Sequence, residues 1–209
     1  MEDLTLHQYH NSGNCYKIRL AAALLNIEIT LEDYDLVKGE SRTPEFLSKV
    51  SSNGSVPVLQ IGNTFLPESG AALNYIAAGS HLVPKDRLQY AEMLRWMFFE
   101  QYQIEPTVGS LRFWTRKLGL ENLDEAKKGQ VNAKRQAGSA ALDVMEQHLS
   151  GRRFFVREKF SLADVALFGY THVSEQGDFD LSKWPNVKAW CERVKEQPGY
   201  VPIGNENWS

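Results

Sequence analysis

The chain has 209 residues and a formal net charge of −3, with 43% hydrophobic and 23% charged residues. That is the composition of a globular protein long enough for one large domain or two small ones. Its mild acidity offers no basic face for neutralising phosphates, and no apolar run approaches a membrane span, so neither a nucleic-acid partner nor a membrane is expected.

The first residues, Met1-Glu2-Asp3-Leu4, are acidic and lack an apolar signal core. Cys15 and Cys191 alone make no disulfide framework, so a reducing cytoplasm is the expected location. Leu4-Thr5-Leu6-His7-Gln8-Tyr9 alternates and predicts a strand. His10–Asn14 is a polar turn suited to helix entry, and Cys15 to Asn26 has helical periodicity with Ile18, Ala21, Ala22 and Leu25 on one face. Ile27 to Glu32 alternates again, which gives strand–helix–strand with a parallel pair. Thr43-Pro44-Glu45-Phe46 starts a short helix, with Thr43 as N-cap and Pro44 in the first helical position.

Asn53-Gly54-Ser55-Val56-Pro57 leads into the apolar run Val58, Leu59 and Ile61, then a Gly62-Asn63 hairpin turn. Pro57 cannot donate to a ladder and is expected at the first position of its strand. With a cis bond, the Val56 carbonyl and amide would turn outward to pair with an extended peptide. Glu68-Ser69 precedes an apolar helix through Ala78, so Ser69 reads as an N-cap at a helix N-terminus able to bind a carboxylate.

Gly79–Asp86 reads as a linker, after which strand alternation stops. Leu88 to Leu118 predicts a long helix or a pair kinked near Pro106, and Glu121 to Leu149 a second helical stretch ended by Ser150-Gly151. Phe154-Phe155-Val156 is an extended apolar plug. Ser161-Leu162-Ala163-Asp164 has the form of a capping box before an apolar helix through Val173. Trp184-Pro185 opens a last helix with Val187, Trp190, Cys191 and Val194 inward. Ser161 and Asp164 are assigned to folding, the serine cap alone contributing about 1 kcal/mol.

Val56-Pro57 followed by a hairpin and Glu68-Ser69 resembles the glutathione-binding half of the cytosolic glutathione S-transferases, and Phe160–Asp164 resembles the hallmark of their second domain. The resemblance spans nearly the whole chain and is to the serine-type, theta-like and bacterial members. It implies a thioredoxin-like α/β domain over 1–79 and an all-α domain over 87–209. It also implies glutathione as co-substrate, a homodimer, and a detoxifying transferase acting on a small hydrophobic electrophile. No metal is expected, since neither a histidine-rich spacing nor a glycine-rich phosphate loop is present.

Glutathione attacks as a thiolate, and an ordinary thiol with a pKa near 8.5 is only a few per cent ionised at neutral pH. Lowering that pKa by two units takes about 2.7 kcal/mol, which a hydroxyl donor backed by a helix N-terminus can supply. Ser12 stands at the serine-type position, with a turn or N-cap serine as the alternative. Asn14 is a second donor candidate. Cys15 is a third, near the cysteine of the bacterial beta class, where mixed disulfides are favoured; the alternative is a small buried helix residue. Tyr9 precedes the turn and is expected to pack on the sheet.

For the tripeptide, the resemblance places Ser55, Val56, Pro57, Glu68 and Ser69 at the glutathione site: the Val56 amide and carbonyl pair with the cysteinyl unit, Glu68 takes the γ-glutamyl ammonium, and the Ser69 hydroxyl and amide take its carboxylate. The glycine carboxylate falls to Lys38, Arg42 or Lys49, since Ser41 and Ser55 stand where a basic residue is usual. Phe99, Gln101, Tyr102, Arg112 and Phe113 are expected to line the electrophile pocket between the domains. Three rivals remain: a zeta-type isomerase, a reductase of glutathione mixed disulfides, and a non-enzymatic interaction protein. Ile18 in place of a second cysteine excludes a dithiol site, and the spacing of Ser12 and Cys15 counts against the zeta type.

Overall fold

Four short strands and the helices that cover them make up the first part of the chain in the computed structural model, which describes residues 3–204. The described residues group into two units, one running to Ser80 and taken up again from Gln197, the other His81–Glu196.

In the first unit, β1 (Leu4–Gln8) lies parallel to β2 (Thr30–Asp33) and antiparallel to β3 (Val58–Ile61). Antiparallel β4 (Thr64–Pro67) then completes the order β2-β1-β3-β4. The hairpin turns at Gly62, whose φ of 54° suits a residue without Cβ. Helix α1 (Gly13–Leu24) joins β1 to β2 and buries Ile18, Ala21 and Ala22 of the predicted face, but Leu25 is the half-buried C-cap, and Lys17, Arg19 and Leu20 are buried as well, so the helix is covered on more than one side. It begins two residues before the predicted start and ends in a turn in which the Ile27 amide bonds Ala22 O. That wrap consumes Ile27–Ile29, so β2 starts three residues later than the alternation implies. Helix α2 (Pro44–Lys49) is capped as predicted, the Thr43 hydroxyl accepting the Phe46 amide at 3.2 Å.

Helix α3 (Ser69–Ala77) departs by one residue from the expected cap. Glu68, not Ser69, is the N-cap, at φ 73° and ψ 117°, and its side chain makes no cap hydrogen bond. The segment from Gln197 belongs with this unit: Tyr16 Oη donates to Val201 O at 2.7 Å and Arg19 Nη2 to Ile203 O at 3.1 Å.

The second unit is helical. The second unit's first element begins as α4 (Arg87–Phe99) and stays helical to Leu118, the long helix of the two alternatives expected from sequence. Glu100–Gly109 winds in the wider π form around Pro106, and α5 (Ser110–Phe113) and a second wide turn follow. Proline removes one ladder donor, and the wider winding carries the chain past it. Helix α6 (Glu125–Leu149) is capped by Asp124, whose carboxylate accepts the Lys127 amide. At its Gly138 a Cβ would meet Phe179 Cζ at 2.6 Å, so only glycine permits that approach.

Helix α7 (Leu162–Thr171) is buried on every side, and α8 (Pro185–Lys195) places Val187, Trp190, Cys191 and Val194 inward as predicted. The box at Asp164 is closed from the aspartate's side. One carboxylate oxygen accepts Ser161 N–H at 2.9 Å and its hydroxyl at 3.0 Å; the other accepts Phe155 N–H at 3.2 Å and Trp190 Nε1–H at 2.9 Å.

Candidate functional site

The register brings three chain segments to one end of the sheet. β1 leaves the sheet beyond Gln8, β3 enters it at Val58 opposite His7, and β4 leaves it at Pro67 opposite Val58. The turn 9–12, the Ser55-Val56-Pro57 approach and Glu68-Ser69 are therefore neighbours, although up to 60 residues separate them in sequence.

Ser12 is the N-cap of α1, with extended backbone at φ −74° and ψ 129°. Its Oγ accepts the Cys15 amide at 3.3 Å. This leaves the hydroxyl hydrogen for another acceptor beside the positive end of the helix. The Cys15 sulfur is one such acceptor, but a neutral thiol yields to a charged one. Cys15 itself is wholly buried and accepts the Tyr9 amide at 3.4 Å. Burial pushes its thiol up to about 11, against the opposing pull of its hydrogen bonds with Ser12 and Tyr9. Such surroundings are those of the second of the two readings open from sequence, a small buried helix residue.

Asn14 is half-buried in the first turn of α1 and joins the two helix starts. Its Oδ1 accepts Lys17 Nζ at 2.7 Å and lies 3.4 Å from Ser69 Oγ. Ser69 is buried, only 4% exposed, whereas Glu68 beside it is exposed. Left-handed φ at a non-glycine residue costs on the order of 1–3 kcal/mol and persists where surrounding structure imposes it. Glu68 is such a residue, and sequence alone gave no sign of it.

The Val56–Pro57 bond is cis. Val56 precedes the first paired residue of β3, so the sheet's ladder does not use its amide and carbonyl. Ser55 instead closes a local turn, its N–H and hydroxyl donating to Asn53 Oδ1 at 3.1 and 2.6 Å. Among the basic candidates, Lys38 pairs with Asp35 at 3.3 Å and Lys49 with Glu45 at 2.9 Å. Arg42 Nη1 donates to Asn53 O at 2.8 Å, just before Ser55, and Ser41 is buried against Gly54 O.

The expected pocket residues all lie in the helical unit, in differing surroundings. Tyr102 is 79% exposed, Gln101 is exposed and donates to Glu105, and Phe99 packs edge-on against Trp96 at 5.2 Å. Phe113 is half-buried, and Arg112 is buried with Nε donating to Gln176 Oε1 at 2.8 Å. Phe98, 69% exposed, stands four residues before Tyr102 on the same face; the i, i+4 spacing was legible, its exposure was not. A separate open groove of about 430 Å³, lined by Arg95, Trp96, Val144, Gln147, His148 and Arg152, contains none of the expected site residues. Among the described residues, no group of three or more His, Cys, Asp or Glu could hold a metal ion, and no helix is long and apolar enough to cross a membrane.

Comparison with known proteins bears on the whole chain. A possible glutathione S-transferase from Rhodopseudomonas palustris superimposes with a TM-score of 0.91 at 42% identity, over 99% of this chain and 90% of that one. A glutathione S-transferase from Pseudomonas fluorescens gives 0.89 at 39% identity, over 96% and 98%. The glutathione S-transferase-like protein FUS3 of Gibberella moniliformis is 30% identical, over 91% of this chain and 87% of its own length. More distantly, a Pseudomonas putida glutathione transferase, with one glutathione disulfide bound per subunit, shares the fold at 24% identity and a TM-score of 0.82. The family profiles described as Glutathione S-transferase, N-terminal domain and C-terminal domain match residues 2–78 and 92–198. With both halves matched and the sheet end built as above, the chain belongs to the glutathione S-transferase family.

Proposed function

We propose that the protein is a glutathione transferase that lowers the thiol pKa of bound glutathione and directs the thiolate at a hydrophobic electrophile. The observation that carries this is Ser12: its oxygen is spent on capping α1, which leaves its hydrogen to a charged acceptor at the helix's positive end. Asn14 is the second donor to the sulfur. The thiol proton passes to solvent and Ser12 keeps its own, so the hydroxyl stabilises the anion without acting as a base.

The Val56 amide and carbonyl pair with the cysteinyl unit, extending the sheet by one short strand. Ser55 and Pro57 shape that approach, the serine by closing the loop on Asn53. Glu68 takes the γ-glutamyl ammonium, and the Ser69 hydroxyl and amide its carboxylate at the start of α3. Of the basic candidates Arg42 is preferred for the glycine carboxylate, since Lys38 and Lys49 are already ion-paired. Phe98, Tyr102, Phe99 and Phe113 offer apolar surface for the electrophile, and Gln101 a polar contact. Arg112, held on Gln176, is assigned a structural part.

Reduction of glutathione mixed disulfides through Cys15 is disfavoured by its burial. A cytoplasmic homodimer is the reading that the family resemblance supports, and sedimentation tests the stoichiometry.

Following thiolate absorbance of bound glutathione against pH, in wild type and Ser12→Ala, tests the function. A depressed thiol pKa that returns towards the free value in the variant supports the serine-type reading. A depressed pKa that the variant leaves alone moves the donor off Ser12. Absence of saturable glutathione binding leaves a non-enzymatic interaction protein on the same fold.

A further inference from the structure

Lys17 is a fully buried lysine on α1 whose ammonium lies 2.7 Å from Asn14 Oδ1. An ammonium only donates, so the edge of the Asn14 carboxamide that faces it must be the oxygen. The Ser69 hydroxyl approaches that same oxygen at 3.4 Å from the first residue of α3 and donates there in the free protein, a long bond it exchanges for the γ-glutamyl carboxylate when glutathione binds. The two Nδ2 hydrogens are therefore carried on the opposite edge of the group.

This matters because a carboxamide is nearly symmetric in shape and opposite in polarity. Turned by half a turn, it would offer an oxygen where a nitrogen had been. An oxygen facing a thiolate repels it, whereas an N–H donor stabilises it. At Asn14 the turned orientation would set two donors against the Lys17 ammonium, so only one orientation is compatible with its surroundings.

We propose that Lys17 is a positioning residue: its buried ammonium holds the Asn14 carboxamide by its oxygen, so that Nδ2 donates to the sulfur of bound glutathione. The inference rests on reading the site as one that ionises the glutathione thiol, and it adds the group that sets the polarity of the second donor. Lys17 acts through Asn14; no proton moves between them. Arg19 on the same helix and Asp33 at the end of β2 act electrostatically on Cys15 in this turn, and Glu68 precedes Ser69 at the start of α3. A charge effect of Lys17 acting through space must therefore be separated from positioning.

The experiment measures the thiol pKa of bound glutathione by thiolate absorbance, and the affinity for S-hexylglutathione, which has no thiol. It compares wild type, Lys17→Met, Lys17→Arg, Asn14→Ala and the Lys17→Met/Asn14→Ala double variant. Lys17→Met is expected to raise the thiol pKa by about one unit, a tenfold loss of thiolate below the pKa. S-hexylglutathione affinity should change by less than about threefold, and Lys17→Arg should restore the pKa. In the double variant the pKa should equal that of Asn14→Ala alone.

An unchanged pKa in Lys17→Met overturns the proposal, and so does an increment that persists undiminished in the double variant. Should Lys17→Met fail to fold, Asn14→Asp decides: it keeps an acceptor for the ammonium but removes the donor, and an unchanged thiol pKa there overturns the proposal too. Wild-type protein without a depressed thiol pKa removes the underlying reading instead. A depressed pKa indifferent to these variants removes only the role of Lys17.

Discussion

Two helix starts in this protein are made from the same pair of residue types, a serine and an acid, and end up opposite in character. At α7 the carboxylate of Asp164 is fully buried and accepts four donors, two from Ser161 and one each from Phe155 and Trp190. At α3 the carboxylate of Glu68 is exposed, makes no cap bond, and sits on a backbone with φ 73°. Satisfied donors and acceptors hold a fold together, whereas polar groups offered outward from a strained backbone are available to a ligand. Residue type does not separate the two; the accounting of partners does.

The comparison can be broken first at its satisfied end. Asp164→Ala leaves four buried donors without an acceptor and should cost about 4 kcal/mol of stability, read as a fall in Tm of about 8–16 °C. A loss near 1 kcal/mol would mean that the carboxylate is an ordinary cap. At the offered end, Ser12→Ala should leave glutathione affinity near wild type and reduce conjugation by about 30-fold at neutral pH, the drop from a mostly ionised thiol to a few per cent thiolate when two units of pKa depression are lost.

A third measurement sharpens the comparison inside α7, where burial moves two groups in opposite directions. His172, just beyond the helix and stacked on Phe168 at 4.2 Å, is pushed down to about 3, chiefly by burial. The folded state thus refuses a proton that the unfolded chain accepts below about 6.5, and stability is lost as pH falls through that value. Burial raises Asp164 to about 6 despite its donors, so its contribution runs the other way, stability falling as pH rises from about 4 to 6. Replacing His172 with Phe should flatten the acid limb, recovering roughly 2 kcal/mol by pH 4 after a discount for the residue's partial exposure. An acid limb as steep as that of wild type would place the acid sensitivity elsewhere.

The smallest expected effect is at Glu68. Glu68→Gly relieves the left-handed φ and should stabilise the protein by about 1 kcal/mol while weakening glutathione binding. A variant both more stable and equally tight for glutathione would remove Glu68 from the site.

Much of this was legible because the signals are local. Thr43-Pro44, Gly62-Asn63 and Ser161–Asp164 each carry their geometry within four residues. The start of β2 was misplaced because Ile27-Glu28-Ile29 alternates like a strand, while a backbone bond from Ile27 to Ala22 winds it onto the end of α1. Pro106 left a long helix and a kinked pair both open, and the wider winding by which the chain stays helical there had no sequence signal. That Arg112 is buried on Gln176 was not legible either, since the two lie 64 residues apart. Lys17 was the missed opportunity: three residues after Asn14 on a helix places the two side chains together.

The return of the chain from Gln197 has a consequence for modularity. Tyr16 and Arg19 on α1 spend hydrogen bonds on the carbonyls of Val201 and Ile203, and a Cβ at Gly199 would come within 2.8 Å of Ala23 O. The first eighty residues are therefore not a cassette that can be lifted out at the linker. A swap of the N-terminal half between relatives has to carry its own closing segment, or find one in the recipient whose carbonyls meet the same tyrosine and arginine.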